Sequence, residues 1–402
     1  MSANHIQRSP APEAHQPIRR HAGLDVLRFA AAFAVLLYHF LYRGAAGGEF
    51  LPSEFQFAPD ATRFAYFGLH LFFLVSGFVI LWTAQNRDWF SFGMARLIRL
   101  WPGYAACVGI TALATWLYAT VVAAEPFAIS WAMVAANFTF VAPAFGHPFM
   151  DGVYWTIVLE LIFYFWVALA IFTGLLPRHL IGFCIIWLGL IAANELWLDN
   201  GTMRLALVTR YGAWFVLGML AYDIRQKGIT IPSFICLFFA ITLSMDMALA
   251  EHIELAALYG YAFDPASIIT ANAFILSLFA IVVAWGDRLP STAAVTTMGA
   301  LTYPLYLVHQ HVGYMIINTT VSSLGAAGSL MCATTAIVLI AWAIWRFVEV
   351  PAQSAAKTAL RHTALQPLNY LRRMTAKSVN GGIAGKISLG PRPGKRALQP
   401  AE

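Results

Sequence analysis

The stretch Gly23-Leu-Asp-Val-Leu-Arg-Phe-Ala-Ala-Ala-Phe-Ala-Val-Leu-Leu-Tyr-His-Phe40 decides the fold class. It is apolar over nearly the ~20 residues that a bilayer-spanning helix needs. Yet it carries Asp25, Arg28 and His39. On a helix, the spacing of Arg28 and His39 puts them within about 20° on one face and about 16 Å apart along the axis. Ionisable side chains are costly in hydrocarbon, so a line of them on one face reads as the lining of a site. The pattern suggests an anion-holding group at one end of the helix and a reactive imidazole near the other.

Composition extends that reading to the whole chain. Hydrophobic residues make up 60%, charged residues 11%, and the mean hydropathy is +0.68. Soluble domains carry about 25% charged residues. The chain therefore reads as all-α, a polytopic transmembrane helical bundle. Runs near ~20 apolar residues predict ten spans, at 23–43, 63–84, 98–122, 153–175, 179–197, 207–225, 230–249, 266–286, 297–318 and 327–348. The apolar but broken stretch Ile129–Phe145 is expected to be interfacial or re-entrant. No small-residue cleavage site follows a short apolar run near the N-terminus, so the first span is expected to be retained. This divides the chain into an N-terminal segment 1–22, a membrane domain 23–350 and a basic tail 351–402, expected to be disordered.

Loop charges predict the orientation. With the N-terminus inside, the inner segments, Arg346 and the tail hold 20 of the 25 Lys and Arg. The positive-inside rule then puts both termini in the cytoplasm. The net charge of +6 is explained by these segments, so nucleic-acid binding is not implied. Cys107, Cys184, Cys236 and Cys332 lie in apolar runs without metal-ligand spacing; they read as small packing residues, and no metal is expected.

Arg96-Leu-Ile-Arg99 stands at the inner mouth of the third span. Guanidiniums at i and i+3 lie on neighbouring turns and can fork onto one phosphate group; they also suit ordinary flanking of a span. Arg28 lies near the same face of the membrane. His39, towards the outer end of the first span, has the side chain best suited to take a proton from a hydroxyl near neutral pH. Glu160 enters the fourth span from outside and is expected beside His39, orienting its ring. Ser76-Gly77 reads as a small-residue pair for close helix packing. Asp25 is expected to pair with Arg28 or to cap its helix. His309 either lines the same cavity or bonds a neighbouring carbonyl. Glu349 is expected to pair with Arg346.

Taken in order, these motifs resemble membrane acyltransferase family 3, which includes O-acetyltransferases of bacterial surface polysaccharides. The resemblance runs over roughly 23–350. It rests on Leu24-Asp-Val-Leu-Arg28 through Tyr38-His39, Leu71-Phe-Phe-Leu-Val-Ser-Gly-Phe78, Arg96-Leu-Ile-Arg99 with Pro102 and Tyr104, Trp155 with Glu160 and Tyr164, and Tyr306-Leu-Val-His309. The family's usual Trp-Ser-Leu is Trp155-Thr-Ile here, and its Leu-Trp-His is Leu307-Val-His309. The resemblance implies acyl-CoA, with acetyl-CoA the expected co-substrate, and a hydroxyl acceptor on a glycan or lipid-linked saccharide. Arg28, Arg96 and Arg99 would hold the donor phosphates. His39 would act as general base or transiently carry the acyl group, with Glu160 in support. Asp25, Ser76, Trp155, Tyr164, His309 and Glu349 would be supporting residues. The membrane implied is the bacterial inner membrane. A transporter or flippase of an anionic lipid or polysaccharide precursor, or a non-catalytic subunit of a glycan-export complex, would share the basic mouth. Paired broken helices in inverted repeats would favour a transporter, and no such pair is visible in the sequence.

Overall fold

The computed structural model of the chain describes residues 21–46, 50–52, 55, 60–85, 87–122, 129–260, 262–356 and 358. All regular structure among them is helical. Among the described residues, eight helices are long and apolar enough to cross a membrane. The chain divides after Val350, and the described residues from 21 to 350 form one compact unit. Of the second unit only 351–356 and 358 are described, as helix. The expected disordered tail otherwise lies outside the described residues, as does the N-terminal segment up to residue 20.

The helices that build the site are α1 (Ala22–Tyr38), α2 (Phe67–Ala84), α3 (Trp89–Val122), α4 (Trp131–Asn137), α5 (Trp155–Phe172), α6 (Leu180–Ala193), α7 (Gly212–Lys227), α8 (Ile231–Tyr259), α9 (Pro265–Trp285) and α10 (Ala293–Ile344). A π-helical turn, His39–Arg43, continues α1. Helix α10 is bent at Gly325, whose φ of 67° is open to glycine but strained for other residues. The expected ninth and tenth spans both lie in this bent run. The expected sixth span is α7, which has only 16 residues. Every residue from Gly212 to Leu220 of α7 is buried, so this helix meets protein rather than lipid.

Two boundaries correct the sequence reading. Helix α3 starts nine residues before the expected 98, because the Asp88 carboxylate accepts from the backbone N–H groups of Phe90 (3.0 Å) and Ser91 (2.9 Å). Such capping satisfies the first orphan donors of a helix. Hydrogen bonds from Ser91 hold the Asp88 carboxyl below its usual range. Arg96 and Arg99 are thus carried inside the helix rather than on its flank. Helix α8 runs ten residues beyond the expected 249. Its Glu251, read as loop from the sequence, sits 2.8 Å from His70 Nε2 and accepts from Tyr211 (2.8 Å), so the bundle partners its charge. Glu254 is bonded by Arg210 at 2.6 Å.

Helices α2 and α7 pack at backbone contact. A Cβ on Gly77 would come within 2.9 Å of the Phe215 carbonyl carbon and closer still to its oxygen. A Cβ on Gly218 would meet Phe78 N at 2.8 Å and overlap the Leu74 carbonyl. Small residues allow this approach, and dispersion over the close surfaces stabilises it in a membrane. The expected packing role of Ser76-Gly77 belongs to Gly77; Ser76 is used elsewhere.

The described part of the segment between α3 and α5, from residue 129, folds back along α3. Ser130, Trp131 and Val134 lie against Gly109–Trp116 of α3, whereas the Phe138 carbonyl accepts from Trp101 Nε1 at 3.3 Å, lower on the same helix. The chain then returns to Tyr154, whose hydroxyl is 3.5 Å from Thr111. Fully buried Asn137 ties the two limbs together. Its Nδ2 donates to the Met133 and Pro148 carbonyls (2.9 and 3.0 Å), and its Oδ1 accepts from Met150 N (3.0 Å). Buried non-helical backbone needs partners from the protein, and Asn137 supplies them.

Candidate active site

A partly open cavity of about 70 Å³ lies among α1, α2, α3, α5 and α10. Arg28, Arg96, Arg99, Ser76, Glu160 and Tyr164 line it. Glu160 Oε1 accepts from Ser76 Oγ at 3.0 Å and from the Tyr164 hydroxyl in a very short contact. The Arg96 guanidinium lies 5.8 Å from the Tyr164 ring centroid and 5.7 Å from that of Phe92. Arg96 is buried, and its Nε has no hydrogen-bond partner among the described residues. Arg28 stands within electrostatic reach of Arg99, Glu160, Tyr164 and Asp25.

Glu349 closes the same region. It packs against Gly103 and faces Arg99 and Arg28. Its expected ion pair with Arg346 does not form, since the π-helical turn Trp345–Glu349 directs Glu349 inward. Asp25 lies in the first turn of α1 against Gly299, at the position where a Cβ on Gly299 would meet its Oδ1 at 2.5 Å. The helix cap is His21, not Asp25. Three guanidiniums therefore gather about Glu160, with Glu349 and Asp25 alongside, and Arg96 keeps an unbonded buried donor among the described residues. A buried donor left unpaired costs about 1–3 kcal/mol. An anion with several acceptor oxygens satisfies both features.

The imidazoles form a second centre. His39 Nδ1 is 2.8 Å from the Val35 carbonyl and 3.1 Å from His309 Nε2. His309 Nδ1 is 2.8 Å from the Tyr306 carbonyl. Carbonyls only accept, so both Nδ1 atoms carry the protons. The single His39 Nδ1–H is then shared between the Val35 carbonyl and His309 Nε2, and His39 Nε2 keeps its lone pair. No partner among the described residues occupies that atom. His309 is fully buried and His39 half-buried. Of the two options for His309, the carbonyl bond is realised; it also meets His39, but it does not line the arginine cavity.

The sequence expectation that Glu160 orients His39 is overturned. Glu160 is held by Ser76 and Tyr164 in the arginine cavity, whose lining includes neither histidine. The carboxylate within electrostatic reach of His309 is Asp151, at the end of the segment that folds back along α3. Asp151 is fully buried and accepts from Val153 N (3.1 Å) and His311 N (3.0 Å). Sequence reasoning passed over it because an acidic residue before Gly152 reads as a loop; its place after an apolar, Asn-broken stretch is the available signal. Trp155 also departs from expectation. Its ring lies against Tyr211 at 5.5 Å, and its neighbours Thr156 and Ile157 line the cavity instead. Tyr306 joins the two centres: its hydroxyl is 3.1 Å from Thr156 Oγ1 in the cavity wall, and its carbonyl holds His309.

Residues 21–346 match the family model of acyltransferase family 3, described as "Acyltransferase domain". The chain belongs to this acyltransferase family. No curated protein and no solved structure matches it significantly. The match of the acyltransferase takes in both centres, from Arg28 and His39 on α1 to His309 on α10. With its long apolar helices, the protein is a multi-pass membrane acyltransferase.

Proposed function

We propose that this acyltransferase moves an acyl group, acetyl in the first instance, from cytoplasmic acyl-CoA to a hydroxyl of a lipid-linked or exported glycan. The observation that carries the reading is the unbonded Nε2 of His39, on the same helix as Arg28 and beyond the end of the arginine cavity. Coenzyme A is a phosphate-rich head on a long thin arm. Arg28, Arg96 and Arg99 suit the head, because guanidinium forks match phosphate oxygens. Both termini in the cytoplasm would give these arginines the side where acyl-CoA is made. The arm then runs outward past Thr156 and Tyr306 to His39.

The chemistry balances without a further reagent. His39 Nε2 takes the proton of the acceptor hydroxyl as its oxygen attacks the thioester carbonyl. The carbon–sulfur bond breaks as the ester forms, and the coenzyme A thiolate takes the proton back from the imidazolium. His309 holds the ring with Nε2 facing the acceptor and, with Asp151, supports the cationic form. Orienting the base in this way is the role of the third member in known triads. Glu160 keeps the basic cavity from carrying three uncompensated buried charges. The protein would act in the bacterial cytoplasmic membrane.

The test is thiol release from acetyl-CoA by the purified protein in lipid nanodiscs, with a mixture of saccharides as acceptor. Thiol release with matching O-acetyl product, both lost in His39→Gln, is the expected result. No thiol release by the well-folded wild-type protein would turn the reading towards transport or a non-catalytic role.

A further inference from the structure

The two centres leave one side of α3 unused. Gly109, Ala112, Leu113 and Trp116 recur at i, i+3, i+4 and i+7, one stripe of a helix. The stripe belongs to an apolar span and turns away from the bundle: Leu113 and Trp116 are more than half exposed, whereas Thr111 and Thr115, on the other side of α3, are buried. Trp131 and Val134 of α4 stand against it. Together these residues line a partly open groove of about 630 Å³.

The lining is apolar. Among the described residues no charged side chain belongs to it. Its polar member is Ser130, whose hydroxyl accepts from Met133 N at 3.2 Å as the cap of α4. The matching occupant is therefore a hydrocarbon. Ligand pockets enclose roughly 300–1,000 Å³, so the groove has room for a stretch of lipid tail. A tail gains no hydrophobic transfer on leaving the bilayer, because lipid is as apolar as the lining. What holds it is dispersion against the Trp116 and Trp131 indoles. Gly109 opens the floor, since nothing lies within 4 Å of a Cβ built there.

The groove is level with the imidazoles. Thr111, in the same turns of α3, is 3.5 Å from the Tyr154 hydroxyl. Asp151, just before Tyr154 in the chain, accepts at 3.0 Å from the backbone N–H of His311, close to His309.

We infer that this groove holds the hydrocarbon tail of the acceptor, which is accordingly a membrane-anchored glycolipid whose head reaches His39 while its tail rests on α3. The inference rests on the acyl-transfer reading above. A groove at the level of the base suits a molecule that carries both a hydroxyl and a tail. Boundary phospholipid, the competing occupant, covers the whole apolar surface and has no preference for this stripe.

The test uses the full-length protein in phosphatidylcholine nanodiscs and a hexadecyl glucoside with a diazirine near the end of its chain. After irradiation, peptide mass spectrometry should find label on residues 112–116 or 131–134, and excess unlabelled hexadecyl glucoside should remove it. Gly109→Leu fills the groove without a backbone clash, and leucine favours a helix over glycine. It should lower the labelling about tenfold, through lost dispersion contacts, with an equal or higher thermal midpoint. Labelling that excess glucoside leaves in place, equal labelling by a diazirine phosphatidylcholine, or labelling unchanged in Gly109→Leu overturns the inference. Thiol release from acetyl-CoA is measured on the same samples. Its absence with specific labelling intact would remove the acyl-transfer reading and leave the groove as a glycolipid site.

Discussion

His309 Nε2 lies 3.1 Å from His39 Nδ1, joining residues 270 positions apart. The contact leaves His39 with one nitrogen fixed and one available. A base must stand within about 3 Å of the proton it takes, so a ring held on one side presents its lone pair in one direction.

His39→Gln should lower acyl transfer by about 10²–10⁴-fold, the usual contribution of a positioned acid–base group. Glutamine is polar and similar in size but is not protonated near neutral pH. The Michaelis constant for acyl-CoA should stay within about twofold, since His39 is outside the arginine cavity. His309→Ala should cost less, about tenfold to a hundredfold, because the Val35 carbonyl still holds His39. Steady-state kinetics decide the matter, and near-normal turnover in His39→Gln would reduce the imidazole to a packing residue.

Glu160→Gln should act on the donor cavity and not on the base. Removing its charge leaves Arg28, Arg96 and Arg99 with Glu349 as the carboxylate facing them. Acyl-CoA should therefore bind more tightly while the free protein loses about 1–3 kcal/mol of stability. Calorimetric titration and thermal unfolding give the two readouts. Lost turnover with unaltered donor affinity and stability would instead return Glu160 to the neighbourhood of His39.

Arg96→Ala and Arg99→Ala should each raise the acyl-CoA Michaelis constant by about tenfold, since a charge-assisted phosphate contact contributes roughly 1.5–3 kcal/mol. Lysine should restore part of the loss, because it keeps the charge without the bidentate fork. A well-expressed double alanine variant with unchanged donor affinity would make both arginines ordinary flanking residues of a span.

Gly218→Ala and Gly77→Ala should each cost about 1–3 kcal/mol or more, because backbone on the partner helix occupies the space of the new methyl group. Gly93→Ala, which meets nothing within 4 Å, is the matched control and should be neutral or stabilising. Thermal midpoints in detergent compare the three; equal midpoints would show that α2 and α7 separate at little cost.

The arginine and histidine candidates were legible in the sequence because helical periodicity is local. Eleven residues of helix place Arg28 and His39 on one face whatever surrounds them. Three residues do the same for Arg96 and Arg99. The partner of His39 was not legible as such. Depth alone made Glu160 a candidate, since the predicted topology puts both residues in outer halves of their spans. Rotation of α5 about its axis sends Glu160 to Ser76 and Tyr164 instead. Asp151 was hidden for a different reason. Its burial depends on a folded-back segment that Asn137 closes through backbone carbonyls, and no residue pattern records which carbonyls are near.

By itself the sequence determined that the chain is helical and crosses a membrane, because hydrophobic run length and the cost of unbonded backbone in lipid leave little else. It also determined which ionisable groups stand on the first and third spans. Only the tertiary structure decided which of them meet. In a bundle that choice is made by helix rotation and by backbone approach at Gly77 and Gly218. These depend on contacts summed over helices distant in sequence, and a single helix's pattern does not contain them.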